Sequence, residues 1–553
     1  MSKLIKYNSD AQASILAGVE TLEKAVSVTL GPAGKTVIID EFGTIHATKD
    51  GVSVAKSIVL EDPIENIGAM AVKQISEKSN TNCGDGTTTT VVLGANIYKN
   101  SLKRVLFGSS NATQVKNGVN KAVSAIVDYI KTTAKPISSK EDIKKVALVS
   151  ANFDEEIAET ISEVMSKLGK DGTIKVENGQ TTGIISKIVD GMTIDNPYAS
   201  PYLITNQERM EAELTDPFVL IVNKKISNIQ EIIPCLQSVS QVGKSLLIIA
   251  DDFQEDVLAM LVYNKLQGFN ILAVKSPSYG DPRKSILEDI AVSTGAIVIS
   301  DEKCTNLKDA VVGSPYLGSC KRVVSTSENT VIIGGLGKQD VISARAAALR
   351  TQIEVASSEY EKDKFRERLA KLTTGVGLIL CGGNTEAEAK ERRDRVDDAF
   401  CAAKSALKSG IVPGGGSALL NAMKHFNDWN NTNAFGKLTD SEKIGVSTVL
   451  ESLKTPMYSI LKNADLNADV IIEKVLHSDV ENAGYNVLNS ENQHSDNVHI
   501  SNMIEEGIYD SAEVVINEIT NAGSIAGLLL TTDAVIVENP KNKPAPASCH
   551  GCN

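Results

Sequence analysis

The sequence predicts a multidomain α and α/β protein in which two helical ends enclose an α/β middle. Three observations predict it. The chain has 553 residues, too many for one hydrophobic core at about 100 to 200 residues per domain. Apolar residues recur at helical spacing near both ends. Between them, short β-rich runs alternate with amphipathic segments at about 25-residue intervals, the texture of an α/β unit.

The first helix is expected from Asp10 to Leu30, where Ile15, Leu16, Val19, Leu22, Ala25 and Val26 share a face and LGPAG ends the run. KTVIID and GTIHATKDG follow as short strands, and residues 65 to 132 read as two or three helices. From residue 171, GTIKVENG, FVLIVN, SLLIIADD, NILAVK and AIVIS read as strands. Helix returns after 340, most clearly from Thr385 to Leu407. There Thr385 and Glu388 have capping-box spacing, and Val396, Ala399, Phe400, Ala403 and Leu407 form one stripe. The like ends and unlike middle suggest a discontinuous domain, with hinges expected at Pro136, Gly191, Gly375 and Gly410.

Composition narrows the function. A net charge of −13 argues against general binding to nucleic acid or an anionic membrane. Eight scattered cysteines lack the density of a disulfide framework, so a reducing compartment is expected. The polar amino terminus and the absence of an apolar run of about 18 residues predict a cytoplasmic protein.

The chemistry gathers in short motifs. In GDGTTTT, residues 84 to 90, a glycine-rich turn opens a helix, and its free N–H groups suit phosphate oxygens while Asp85 is suited to Mg²⁺. Spacing alone supports a capped, β-branched helix start equally well. GPAGKT at 31 to 36 has only two residues between its glycines, so it is not a P-loop. TLGPAG, TKDG, RVDDAF and VPGGGSALL supply further glycine-rich and acidic helix ends, and Asp50, Asp85 and Asp398 are the residue type that phosphoanhydride hydrolysis requires.

These stretches, in this order, resemble the type I, GroEL-like chaperonins from about residue 5 to 540. The resemblance implies a chaperonin fold with an equatorial ATP-binding domain (1–132 and 409–540), an intermediate domain (133–189 and 376–408), an apical α/β domain (190–375) and a flexible tail (541–553). It implies an ATPase that folds non-native polypeptides in a chamber formed by a homo-oligomeric heptameric ring. The alternative is a scaffold or binding ring with little folding activity. Nucleotide contacts are implied for Thr29, Leu30, Gly31, Pro32, Lys49, Asp85, Gly86, Thr87, Thr88 and Thr89, with Gly415, Asn486 and Asp510 around base and ribose. Asp85 would hold Mg²⁺, backbone oxygens near Thr29 and Lys49 would suit K⁺, and Asp50 with Asp398 would position water, once the helix bearing Asp398 swings down. Tyr198, Tyr202, Leu203, Ile233, Leu236, Leu258, Val262 and Tyr263 would offer apolar surface to clients.

Departures from the family are also legible. Asn196 stands where an arginine partner for Glu386 is expected, whereas Asp154 and Arg395 are both kept. Ser278-Tyr279 replaces a glycine-phenylalanine turn, and NSENQHSDNVH lengthens the segment between Asn486 and Asp510. Leu106, Phe107, Tyr458 and Asn467 alter the expected contact between rings, leaving single and double rings both open. A separate co-chaperonin lid is compatible with the sequence, which lacks a long built-in lid. The terminal Cys549, His550 and Cys552 supply too few ligands for a closed zinc site, so a ligand-free tail is expected.

Overall fold

The computed structural model describes residues 3–538 apart from 42–43, 84, 109, 138, 170–172, 180–181, 208, 357, 374, 433 and 490–497. Gly84, most of the polar insertion and the Cys549–Cys552 tail therefore lie outside the described residues. The chain divides into two compact units. One comprises Met1–Glu163, Asn178–Ile184 and Cys381–Asn553; the other comprises Val164–Glu177 and Ile185–Leu380.

The first unit is helical. Its opening helix, Asn8–Ser27, buries Ala11, Ile15, Val19, Leu22 and Val26 on one stripe, as the periodicity predicts. It crosses the Pro63–Cys83 helix so closely that a Cβ on Gly18 would lie 1.8 Å from the Glu65 carbonyl oxygen, so only glycine fits. Helices Thr87–Gly108, Ala112–Thr133, Asp440–Ser452 and Ala512–Leu530 join the same core. Strands Lys3–Tyr7 and Ala534–Glu538 bring the two ends of the described chain together in an antiparallel pair, Lys3 opposite Glu538. The KTVIID and GTIHAT stretches pair as Val37–Glu41 and Thr44–Thr48.

The Glu386–Ser409 helix in this unit starts where the capping pattern predicts. Thr385 Oγ1 accepts from the Glu388 N–H at 3.2 Å, while Glu388 reaches back one residue further than expected and accepts from the Asn384 N–H at 2.9 Å. Val396, Ala399, Phe400, Ala403 and Leu407 are all buried. Gly375 in the second unit and Gly410 in the first both have positive φ, conformations that glycine adopts without the usual steric cost.

The second unit is built on a sheet whose parallel strands Phe218–Val222, Leu246–Ala250 and Ile271–Lys275 are almost wholly buried. Continuous runs such as LLIIA, rather than alternating ones, are what a strand covered on both faces requires. Helices Ile229–Val242 and Glu255–Leu266 make the crossovers. The expected strand AIVIS is reduced to a single parallel bridge between Val222 and Ile299. Its neighbours are committed elsewhere: the Ile297 N–H donates to Pro315 O, and Ser300 caps the short Asp301–Lys303 helix.

Candidate functional site

The site is assembled within the first unit, around the start of the Thr87–Gly108 helix. Asp85 sits just ahead of it. The Gly86 N–H bonds Asp85 Oδ1 at 2.6 Å, and Ser150 donates its hydroxyl to Oδ2 at 2.9 Å. Gly86 has φ +83°, which lets the chain turn into the helix and leaves the first N–H groups facing forward.

The four threonines separate by role. Thr90 is buried and donates back to Gly86 O at 2.8 Å, so its hydroxyl serves the helix. Thr88 Oγ1 lies where a Cβ on Gly51 would come within 1.9 Å. Thr87 Oγ1 is buried with no hydrogen-bond partner, an orphaned donor at the helix start. Thr89 lines the neighbouring cavity and hydrogen-bonds Glu518.

Leu30, Gly31, Pro32, Gly415, Asn486 and Asp510 line that same cavity, with Ile460, Met457, Tyr485 and Met503 giving it an apolar wall. The 28–35 turn is held from behind by Asn463, whose Nδ2 donates to the carbonyls of Ser27 at 2.9 Å and Leu30 at 2.8 Å. Thr29 is buried and its hydroxyl donates to Val26 O at 2.9 Å. Asp510 is placed by the pairing of Ile411–Pro413 with Tyr509–Ser511 and accepts from the Gly415 N–H. Asn486 bonds Glu506 Oε2 at 3.0 Å.

Asp50 caps the Gly51–Ser57 helix, accepting from the Val52 and Ser53 N–H groups at 2.9 and 2.8 Å, which fixes its carboxylate. Lys49 beside it is exposed and does not line the cavity. Asp398, on the Glu386–Ser409 helix, is near enough to Asp85 and Asp50 for their charges to act on it.

Burial raises Asp85, Asp398, Asp510 and Glu518 above the usual carboxylate range, Asp510 to about 7, and their mutual repulsion adds to the effect. The charges acting on Asp85, Asp510 and Glu518 are those of neighbouring carboxylates. Uncompensated acids grouped beside open N–H groups fit a ligand that carries both phosphates and a divalent cation. Among the described residues no three His, Cys, Asp or Glu side chains converge closely enough to hold a metal by themselves, so such a cation would complete its shell with phosphate oxygens and water.

Sequence reading missed Ser150, Asn463 and Glu518. Ser150 and Asn463 carry no motif, and Glu518 lies on the apolar side of an ordinary helical pattern, where only the packing shows that it faces Gly86.

In the second unit, Tyr202 and Tyr263 are 75% and 58% exposed, while Tyr198, Ile233, Leu258 and Val262 are half-buried. Lys265 Nζ donates to Tyr202 O at 3.2 Å and Ile204 O at 2.6 Å, tying the Pro201–Leu203 turn to the Glu255–Leu266 helix. Leu203 and Leu236 do not belong to this surface. Both are core residues, because their positions face the sheet rather than solvent. Met260 and Leu266, not expected from the sequence, join the exposed apolar face instead.

The model of the TCP-1/cpn60 chaperonin family matches residues 22–540, and the chain belongs to that family as a divergent, GroEL-like member. Among solved structures, the chaperonin gp146 from the bacteriophage EL 2 (Pseudomonas aeruginosa), crystallised in the presence of ATP-BeFx, matches 97% of this chain and 99% of its own. The sequences are 23% identical, with a TM-score of 0.67 in crystal form II and 0.60 in form I. No described helix is long and apolar enough to cross a membrane.

Proposed function

We propose that this chaperonin hydrolyses ATP and couples the hydrolysis to binding and folding of non-native polypeptides inside a homo-oligomeric ring. One observation carries the reading: Asp85 stands at an open helix start within charge range of both Asp50 and Asp398. Phosphates would meet the N–H groups of the Gly86–Thr89 turn, and the base would pack on the wall formed by Ile460, Tyr485 and Met503. A magnesium ion held by Asp85 would neutralise phosphate charge. Asp398, whose carboxyl burial holds above the usual carboxylate range, would together with Asp50 orient the attacking water. The K⁺ role of the backbone near Thr29 and Lys49 belongs to the same proposal, as do the three-domain division, a heptameric ring and a co-chaperonin lid.

The test is a steady-state ATPase assay with Mg²⁺, in K⁺ and in Na⁺, with and without a denatured client, followed by recovery of client activity. Turnover with client refolding is expected. Client binding without turnover or refolding would favour a binding ring instead.

A further inference from the structure

Glu518 is buried on the Ala512–Leu530 helix, eight residues beyond Asp510. Its carboxyl hydrogen-bonds the hydroxyl of Thr89, the threonine of the four that lines the cavity. Its Oε1 presses on the turn so closely that a Cβ on Gly86 would lie 2.8 Å from it. It therefore touches both ends of the segment where phosphates are proposed to bind.

We propose that Glu518 is a positioning residue of the nucleotide site, supporting Gly86 and setting the direction in which the Thr89 hydroxyl points its proton. This rests on the reading that phosphates meet this helix start. A hydroxyl has one proton to give. If Thr89 gives it to an ionised Glu518, only lone pairs face the cavity. A neutral Glu518 instead donates its own proton to Thr89 Oγ1, and the Thr89 proton is released toward a phosphate oxygen. Burial together with the charges of Asp510 and Asp85 favours the neutral carboxyl. The buried acid thus costs the site no extra negative charge against an anionic ligand, while keeping a donor pointed at it.

The test uses the full chain and MgADP binding by calorimetry alongside MgATP turnover. A wild-type chain that binds no MgADP would sink the nucleotide reading itself. If the wild type binds, Glu518→Gln, which retains an N–H donor, is expected to keep the affinity within about 2-fold. Glu518→Leu, which leaves the Thr89 hydroxyl unheld, should lose about 10-fold, as should Thr89→Val, which removes a hydrogen bond to a charged phosphate oxygen. Because Glu518 acts in part through the Thr89 hydroxyl, the double variant should lose less than the sum of the two single losses. Wild-type affinity in Glu518→Leu, or additive losses in the double variant, would overturn the proposal. Circular dichroism and melting without nucleotide establish that each variant folds. Should Glu518→Leu not fold, Thr89→Val and Glu518→Gln decide: undiminished binding in the first, or a 10-fold loss in the second, refutes the role.

Discussion

Arg395 Nη1 bonds Asp154 Oδ2 at 3.2 Å, one helical turn before Asp398. The same aspartate caps the helix that begins at Glu155, accepting from the Glu156 and Ile157 N–H groups through Oδ1, and Glu391 holds the other side of Arg395 at 2.9 Å. Asp154 therefore joins a helix start to the face of the helix that carries Asp398.

Arg395→Ala should slow ATP hydrolysis by about 3- to 10-fold and leave MgADP affinity nearly unchanged, since it loosens the support of Asp398 without touching the cavity. The pair is partly exposed, so its loss should cost at most about 1 kcal/mol of stability. Turnover rates and calorimetry on one preparation check both parts; a fall in affinity equal to the fall in rate contradicts the assignment.

Asp398→Ala should bind ATP nearly as the wild type does but hydrolyse it at least about 10-fold more slowly, the low end for losing a group that orients the attacking water. Undiminished turnover would remove Asp398 from the mechanism.

Asp510, raised to about 7, gives a pH signature. Between about pH 4 and 7 the unfolded chain has this carboxyl ionised while the folded chain keeps its proton. The stability of the nucleotide-free protein therefore falls as pH rises through that window and levels off above it. Asp510→Asn removes this contribution. Its melting temperature should improve relative to wild type between pH 5 and pH 7.5, by about 2 °C or more. An equal offset at both pH values would show that Asp510 is not held protonated.

Tyr202→Ser combined with Tyr263→Ser should impair capture of a denatured client and leave ATPase activity largely intact, because both rings are exposed and lie outside the unit that holds the cavity. Leu236→Ser should behave differently, destabilising its unit by about 2 to 5 kcal/mol as a core truncation. Retained capture by the tyrosine variant, with folding verified by circular dichroism, would place the client surface elsewhere.

Phe107 is 89% exposed at the end of the Thr87–Gly108 helix, with Leu106 partly exposed beside it. Asn467, by contrast, is engaged in capping the Ala468–His477 helix. Phe107 is expected to replace ionic pairing between rings with apolar contact. Phe107→Ser should then shift native mass spectra from stacked rings toward single rings, and an unchanged mass distribution rules out that contact.

The elements most legible in the sequence were those whose own side chains decide them. The Asn8–Ser27 stripe, the Thr385 cap and the buried runs FVLIV and LLIIA each contain their full signal within a few residues, since periodicity and capping are local. AIVIS has the same β-rich composition yet forms a single bridge, because a strand needs partners whose hydrogen-bonding groups are still available, and Pro315 and the Ser300 cap take those groups. Leu203 and Leu236 failed for a related reason: helical spacing tells that a face is apolar, not whether solvent or a sheet covers it.

The sequence by itself determined the class of protein and the acids worth watching, since Asp50, Asp85 and Asp398 sit in short motifs whose order is distinctive, and the resemblance those motifs carry adds Asp510. Only the tertiary structure decided which of them act on one another. Residues hundreds of positions apart are brought within a few side-chain lengths by packing, and electrostatic coupling depends on distance and burial rather than on order along the chain. Ser150 and Glu518 became visible in the same way, because a hydroxyl or carboxyl without a motif acquires a role only from what it is folded against.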